Sequence, residues 1–342
     1  DVGNSFGFTN AHFEVKNTAN AALGAASPRQ FYAGSEQYWQ DDVTASISHA
    51  LPALAGGNAA AGLEFRGENY AITDGEPLSS QQGGAQGFPG FAPRLPVDQS
   101  RNAYSAFLDV SVNPLPWLVM DLAGRYDHYS DFGDALTWKG TARANVNDWL
   151  ALRGSAGTGF RAPSLQQQYF SSVVSQLNPS GAIVHTGTYQ VGDPIAMALG
   201  AHPLKAEQSH DYTAGAVLTP FEGLSLSADW YEIDVHDRIA LSDTLSGAQV
   251  TAVLASAGVS DVQQVAFFTN AVDTRTRGYE ISANYTTPLW DDVTADARVQ
   301  YGQYRTTLKN LAANTAIPAL PLLRTTSLAL LTSAQPLDKF TS

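Results

Sequence analysis

Seven histidines (His12, His49, His128, His185, His202, His210 and His236) show neither His-x-His nor His-x₃-His spacing, so a catalytic metal held by two imidazoles has weak support. Cysteine is absent, which removes thiolate metal sites, disulfides and cysteine nucleophiles together. Glu232, Asp234 and His236 project from one strand face at spacing two. They could converge on a cation, but they follow the apolar row Leu224–Trp230, which favours a solvated strand extension. Asp211 and Asp229 could form a carboxylate pair, and acid–base work would require a raised pKa in one of them. Gly154, Gly157 and Gly159 look like a phosphate-cradling loop, yet no lysine follows and no helix opens there. No Ser/His/Asp order with a nucleophile elbow occurs. Arg125 and Asp127 share one face and can pair. Arg161, in Gly159-Phe160-Arg161-Ala162-Pro163, could meet an anionic ligand, or Gly and Pro could shape the strand exit while Arg161 pairs locally, and the latter is favoured. These residues point to binding rather than catalysis, with no cofactor and no metal.

The elements that must position them read as strands. Apolar residues recur with period two, the mark of a strand with two unlike faces. Tyr104, Ala106, Leu108, Val110 and Val112 alternate with Ser105, Phe107, Asp109 and Ser111. Similar rows run Leu118–Tyr126, Trp138–Val146, Tyr212–Leu218 and Val293–Tyr301, with weaker ones at 43–48, 59–66, 224–230 and 279–285. About a dozen strands of roughly ten residues follow, longer than the ordinary five or six. Short turns rich in Pro, Asn and Asp (113–116, 147–148, 219–222, 288–292) alternate with long polar segments near 72–101, 159–208 and 236–264. One helix is expected within 246–257, where Val250, Val253 and Leu254 fall at i, i+3, i+4 and Gly258 follows.

Short turns at one end and long loops at the other describe an all-β, antiparallel up-and-down transmembrane β-barrel. Tyr104, Tyr126, Tyr212 and Tyr301 stand at the long-loop end of their rows, where an interfacial aromatic belt belongs. The alternative is a soluble β-sandwich, in which the apolar faces meet as a core. Charges in mid-strand on the polar faces and the abundance of Ala and Gly on the apolar ones favour the barrel. Ala106, Leu108, Leu122 and Ala297 should then face outward, and Asp109, Asp121, Arg143 and Arg298 inward.

Composition agrees. Of 342 residues only 15% are charged and 10% are aromatic, with 19 Lys+Arg against 32 Asp+Glu. A net charge of −13 excludes a nucleic-acid partner, since no basic stripe is available. No stretch reaches the ~18 apolar residues of a spanning helix.

Several stretches carry a family resemblance. Arg153-Gly154-Ser155-Ala156-Gly157-Thr158-Gly159-Phe160-Arg161-Ala162-Pro163-Ser164-Leu165 resembles a strand-end signature of TonB-dependent outer-membrane receptors. So do Gly124-Arg125-Tyr126-Asp127 with Tyr129-Ser130-Asp131-Phe132-Gly133, and Leu204-Lys205-Ala206-Glu207-Gln208-Ser209. Trp230–Ile239, and Phe267–Ala271 with Arg277-Gly278-Tyr279-Glu280, are similar to the family in order and spacing. The resemblance implies part of a 22-stranded barrel in the bacterial outer membrane, spanning 1–342 here. In the family the barrel is occluded by an N-terminal plug and imports a scarce nutrient on energy delivered through TonB.

Plug, TonB box, signal peptide and a terminal strand ending in an aromatic are not recognisable, so the expectation is a partial barrel of about 12 strands. The partners implied are a nutrient such as an iron–siderophore, outer-membrane lipid, and TonB through the absent plug. A carbohydrate or cobalamin receptor fits equally. Rival classes are the soluble β-sandwich binding module or adhesin, and an enzymatic barrel. Candidate ligand contacts are Arg125, Arg161, Tyr169, Phe170, Tyr189, Phe268 and Asn270, in loops and lumen.

Overall fold

The computed structural model describes residues 1–19, 23–52, 56–76, 87–177, 180–290, 293–333 and 337–341. The strands are β1 (Val2–Lys16), β2 (Gln30–Leu51), β3 (Gly57–Thr73), β4 (Val97–Leu115), β5 (Leu118–Tyr129), β6 (Gly133–Asn147), β7 (Leu150–Arg161), β8 (Ser172–Leu177), β9 (Ile183–Thr188), β10 (Glu207–Leu218), β11 (Leu224–Leu241), β12 (Gln264–Ala266), β13 (Phe268–Trp290), β14 (Val293–Leu311) and β15 (Asp338–Thr341). Twelve of them form one antiparallel meander in the order β1–β7, β10, β11, β13, β14, β15. The other three form a small sheet within the long connections, β8 antiparallel and β12 parallel to β9. The helices are α1 (Leu165–Tyr169), α2 (Pro194–Ala198), α3 (Ala248–Ser256) and α4 (Thr325–Ser333). The helix expected within 246–257 is α3. Its Val250 and Leu254 are buried.

Register keeps the two faces chemically distinct. Directly opposite residues share a face, so Val110, Leu122, Gly140, Ala156 and Tyr212 form one apolar row across five strands. The adjacent row, Ser111, Asp121, Thr141, Ser155 and Thr213, is polar and belongs to the opposite face. The separation expected for Ala106, Leu108, Leu122 and Ala297 against Asp109, Asp121, Arg143 and Arg298 is observed. Arg298, for example, lies opposite Asn284 and donates to it at 2.8 Å.

The apolar face has no cover. Leu63, Leu108, Leu122 and Leu136 are 64%, 55%, 63% and 75% exposed, and no second sheet of the described residues lies over them. That overturns the soluble β-sandwich, whose stability would come from burying these same side chains. The band is bounded at both ends. Tyr104, Tyr126, Trp138, Tyr212, Trp230 and Tyr279 form the belt nearer the long loops, with Tyr301 beside Tyr279 at 6.1 Å between ring centres. At the other end four of the short turns each contribute an aromatic: Trp117, Trp149, Phe221 and Trp290. From Trp117 to Tyr126 the chain runs nine residues. At ~3.3 Å per residue and a tilt of about 40° that covers roughly 23 Å, close to the ~25 Å apolar band of such barrels.

The largest buried core lies within the long connections. Tyr189, Ile195, Leu199, Leu245, Val250, Leu254, Val265 and Phe267 pack there with Leu322. A second cluster presses Leu165 of α1 and Phe91 against Tyr70, Ile72 and Val97 on the polar-face side of β3 and β4. The loops therefore fold over one face of the sheet and leave the other bare.

Because the chain has no cysteine, single cysteines report on each face without background. Leu108→Cys and Leu122→Cys in the membrane-embedded protein should resist a charged maleimide until detergent is added, whereas Ser155→Cys should react in intact membranes. Equal reactivity at all three would show that the apolar band does not meet hydrocarbon.

Candidate functional site

At the long-loop end, the polar face of β2–β5 is a continuous network of ion pairs. Arg66 donates to Asp42 and, at 3.0 Å, to Glu64. Glu64 also accepts from Arg125 at 3.1 Å, and Arg125 reaches Asp127 at 2.9 Å. Asp127 is fully buried and takes a further bond from the Ser105 hydroxyl at 2.6 Å. Period-two spacing builds this arrangement, since residues two apart on one strand and opposite one another on the next all share a face.

Arg101 is the node between wall and loops. Its side chain is 4% exposed. It donates to Glu68 at 2.7 Å and to the Pro163 carbonyl at 2.7 Å, and lies 3.4 Å from Asp131. Its guanidinium is 5.2 Å from the centre of the Tyr129 ring, within cation–π range. Pro163 leads into α1, which Ser164 and Gln167 close with a capping box. Gln166 and Gln168 of that helix donate to Glu36 (2.7 Å) and Asp131 (2.8 Å), so the loop is held to the wall at several points.

Beside α1 an open cavity of about 360 Å³ is lined by Thr9, Glu36, Tyr38, Glu68, Tyr70 and Gln166 among others. The Tyr38 and Tyr70 hydroxyls donate to Glu68 and Glu36, each at 2.6 Å. Burial, reinforced by the Glu36 carboxylate, pushes the Tyr70 hydroxyl well above its ordinary pKa. Sequence reasoning found no signature in residues 1–99. The available signal was the Glu-x-Tyr spacing, at 36/38 and again at 68/70, which sets an acceptor and a donor on one face of each strand.

A second junction ties the later motifs together. Arg161 makes two bonds to Glu207, at 2.8 and 2.6 Å, and Glu207 also accepts from the Ile239 amide at 2.7 Å. The Asn270 side chain bonds the backbone of Lys205 in both directions, at 2.8 and 3.0 Å, and donates to the Asp237 carbonyl at 2.6 Å. Stretches far apart in sequence are one clasp in space.

The candidate contacts divide accordingly. Arg125, Arg161 and Asn270 occupy the networks just described. Tyr169 and Phe170 pack against the cluster that holds Leu165, with Phe170 6.3 Å from Phe91. Tyr189 is 3% exposed in the loop core, where burial pushes its hydroxyl up to about 12. Phe268 packs on Val191, Leu204 and Ile239. The carboxylate pair considered for Asp211 and Asp229 does not form. Asp229 binds Arg153, and Asp211 accepts from Ser209 at 3.0 Å. The Arg153–Asp229 pair, 2.8 Å from Nε to Oδ1, bridges β7 and β11 across Gly215 of the intervening β10. A Cβ on Gly215 would fall 2.0 Å from that carboxylate, so only glycine leaves the bridge its path. Glu232 and Asp234 lie on the apolar-face side of the sheet and pair with Arg275 and Arg277. Arg275 holds the Asp234 carboxyl below its usual range.

Removing the node should be costly. Arg101→Met would strand Glu68 without its cation, a loss of about 3–5 kcal/mol for a buried pair. Its melting temperature should fall clearly, and protease should cut near 163–170 first. Arg161→Met should do much less, because Arg161 is 59% exposed. Equal melting temperatures for Arg101→Met and the unaltered protein would remove Arg101 as the tie.

A family model described as TonB dependent receptor-like, beta-barrel matches residues 1–333. No curated protein matches the sequence. Among solved structures, the siderophore receptor PirA from Pseudomonas aeruginosa is similar at 15% identity and a TM-score of 0.57, over 82% of this chain and 46% of that one. A mutant of the ferric enterobactin receptor PfeA from the same organism gives 16% and 0.58 over 92% and 41%. The RagAB peptide transporter gives 13% and 0.56 over 92% and 35%. The chain thus spans less than half the length of the structures it matches.

Proposed function

Since the chain belongs to the TonB-dependent receptor-like β-barrel family, whose barrels lie in the bacterial outer membrane, we propose that it forms barrel wall and loop cap of a nutrient receptor. The nutrient binds outside the cell and enters on energy delivered through TonB. The family is one of transporters rather than enzymes. The observation that carries this reading is the asymmetry of the sheet. One face is a bare apolar band between two aromatic belts, and the other is polar, charged and covered by folded loops at one end.

In this reading residues 1–342 are one part of a larger barrel, with the long connections outside the cell. The cargo is a large scarce solute, and an iron–siderophore is the leading class, because two of the similar structures are named as siderophore and ferric enterobactin receptors. A carbohydrate, cobalamin or peptide cargo is the competing choice. Arg125 on the luminal network and Tyr169 and Phe170 beside α1 are kept as candidate contacts, while Arg161, Tyr189, Phe268 and Asn270 act by holding the loops in place.

The test begins with the natural gene product. It should fractionate with the outer membrane, shift its gel mobility on heating, and have a mass about twice the 36.4 kDa of this chain. Deleting its gene should slow growth on a ferric siderophore as sole iron source and leave growth on free iron unchanged. Location in the soluble extract would refute the receptor, and unimpaired use of every siderophore tried would move the cargo to another class.

A further inference from the structure

The small sheet within the long connections borders a cavity of about 150 Å³ that no strand of the barrel wall lines. On β9, His185 and Gly187 share a face, and opposite them on β8 stand Ser175 and Val173. Tyr189 follows at the same spacing. Its ring lies over Gly187, where a Cβ would fall 2.6 Å from it, so the glycine gives the ring its seat. Tyr189, Ser171 and Ser172 all line the cavity and are 3%, 6% and 8% exposed. None of their three hydroxyls forms a hydrogen bond within the described residues, yet no fully enclosed side-chain oxygen or nitrogen there lacks a partner. These hydroxyls therefore open on the cavity.

The remaining lining adds direction. The His185 Nδ1 lies 2.8 Å from the Ser175 hydroxyl, which orients the imidazole and leaves Nε2 available. Asp261 is exposed and forms no ion pair within the described residues. Arg94 lies 3.7 Å from Asp193, a loose pair that keeps N–H donors free. Both Arg94 and Asp261 are near enough to the Tyr189 hydroxyl to bias its proton, in opposite senses. Val173, Val259 and Val262 supply an apolar side. The walls are fixed before anything enters. The Gln263 amide donates to the His185 carbonyl at 3.0 Å, and the Gln190 side chain donates to the Leu95 carbonyl at 3.1 Å.

We propose that this cavity binds a six-membered ring bearing several hydroxyl groups, as a pyranose sugar does. Size sets the ring, since an apolar cavity of about 150 Å³ takes up benzene. Polarity sets its substituents. Each protein hydroxyl both donates and accepts, as each sugar hydroxyl does, whereas Asp261 only accepts and Arg94 only donates. The valines suit the C–H edge of such a ring. A hydrocarbon ring would leave three buried hydroxyls without partners, which is costly. Binding here needs neither transport nor TonB, so it goes beyond the receptor reading.

The experiment uses the full-length natural protein in an amine-oxide detergent, which carries no sugar, and follows binding by saturation-transfer NMR. The probes are the methyl pyranosides of glucose, galactose and mannose, with 2,3-dihydroxybenzoate as a flat, anionic ring. At least one pyranoside should bind, and dihydroxybenzoate should not displace it. Tyr189→Phe should weaken that binding about fivefold, near 1 kcal/mol for one hydrogen bond. It keeps the ring in its seat and removes only an unpaired hydroxyl, so the loops should resist protease as well as before or better. Ser171→Ala should weaken binding in the same way, and Tyr104→Phe, out in the aromatic belt, should not. The proposal fails if no pyranoside binds, or if dihydroxybenzoate displaces the one that does. It fails equally if Tyr189→Phe and Ser171→Ala both bind the pyranoside as the unaltered protein does.

Discussion

A backbone immersed in hydrocarbon must find every hydrogen-bond partner on another strand, because no water is available to it. Nearly everything in this molecule answers to that constraint. Neighbours in the chain become neighbours in the sheet, and the twelve-stranded meander is the result. With pairing settled by the backbone, side chains are free to divide by face. The outer rows need only be apolar, and Gly140, Gly154 and Ala156 show that they need not even be large. The inner rows can carry charge in mid-strand, as Arg143, Arg153 and Asp229 do.

The same constraint explains where the core went. In a water-soluble protein of this length the apolar residues of a sheet would be covered. Here hydrocarbon replaces that cover, so the packed clusters lie in the connections, where water returns and loops must find their own stability. Two charged junctions carry the loops onto the wall. Arg101 is buried among Glu68, Asp131 and the Pro163 carbonyl. Glu207 gathers Arg161 and the Ile239 amide. A buried ion pair is a poor source of stability in itself but a demanding one geometrically, which suits groups that must fix a loop's position.

Sequence alone made much of the sheet legible, for a reason visible in particular strands. In β4, β5, β10 and β14 the hydrocarbon band forces strict alternation, and one face can be read from residues such as Leu108 or Leu122. Beyond the belts that force ends. β2 runs from Gln30 and β3 to Thr73, well past the weak rows at 43–48 and 59–66, because their upper halves mix polar and apolar residues on the same face, as Glu68, Tyr70 and Ile72 do. β8, β9 and β12 were hidden within loop sequence, since β12 pairs with residues 78 positions away and local pattern cannot report that. The motif residues were found, but as tempting ligand contacts. The partners that occupy them, Glu207 for Arg161 and the Lys205 backbone for Asn270, lie 46 and 65 residues away. Fold followed from periodicity, whereas site roles depended on distant contacts that periodicity does not encode.

The bridge from Arg153 to Asp229 has a further consequence for assembly. Sliding β10 by one position would carry Ala214 or Ala216 into the place of Gly215 and turn every side chain of that strand to the wrong face. A methyl group beneath the bridge would push its two ends apart, so a misaligned intermediate could not close it. The missing side chain thus works as a checkpoint on alignment. Three strands can be laced together only after the middle one has arrived in step, and a mispaired meander stays open to try again.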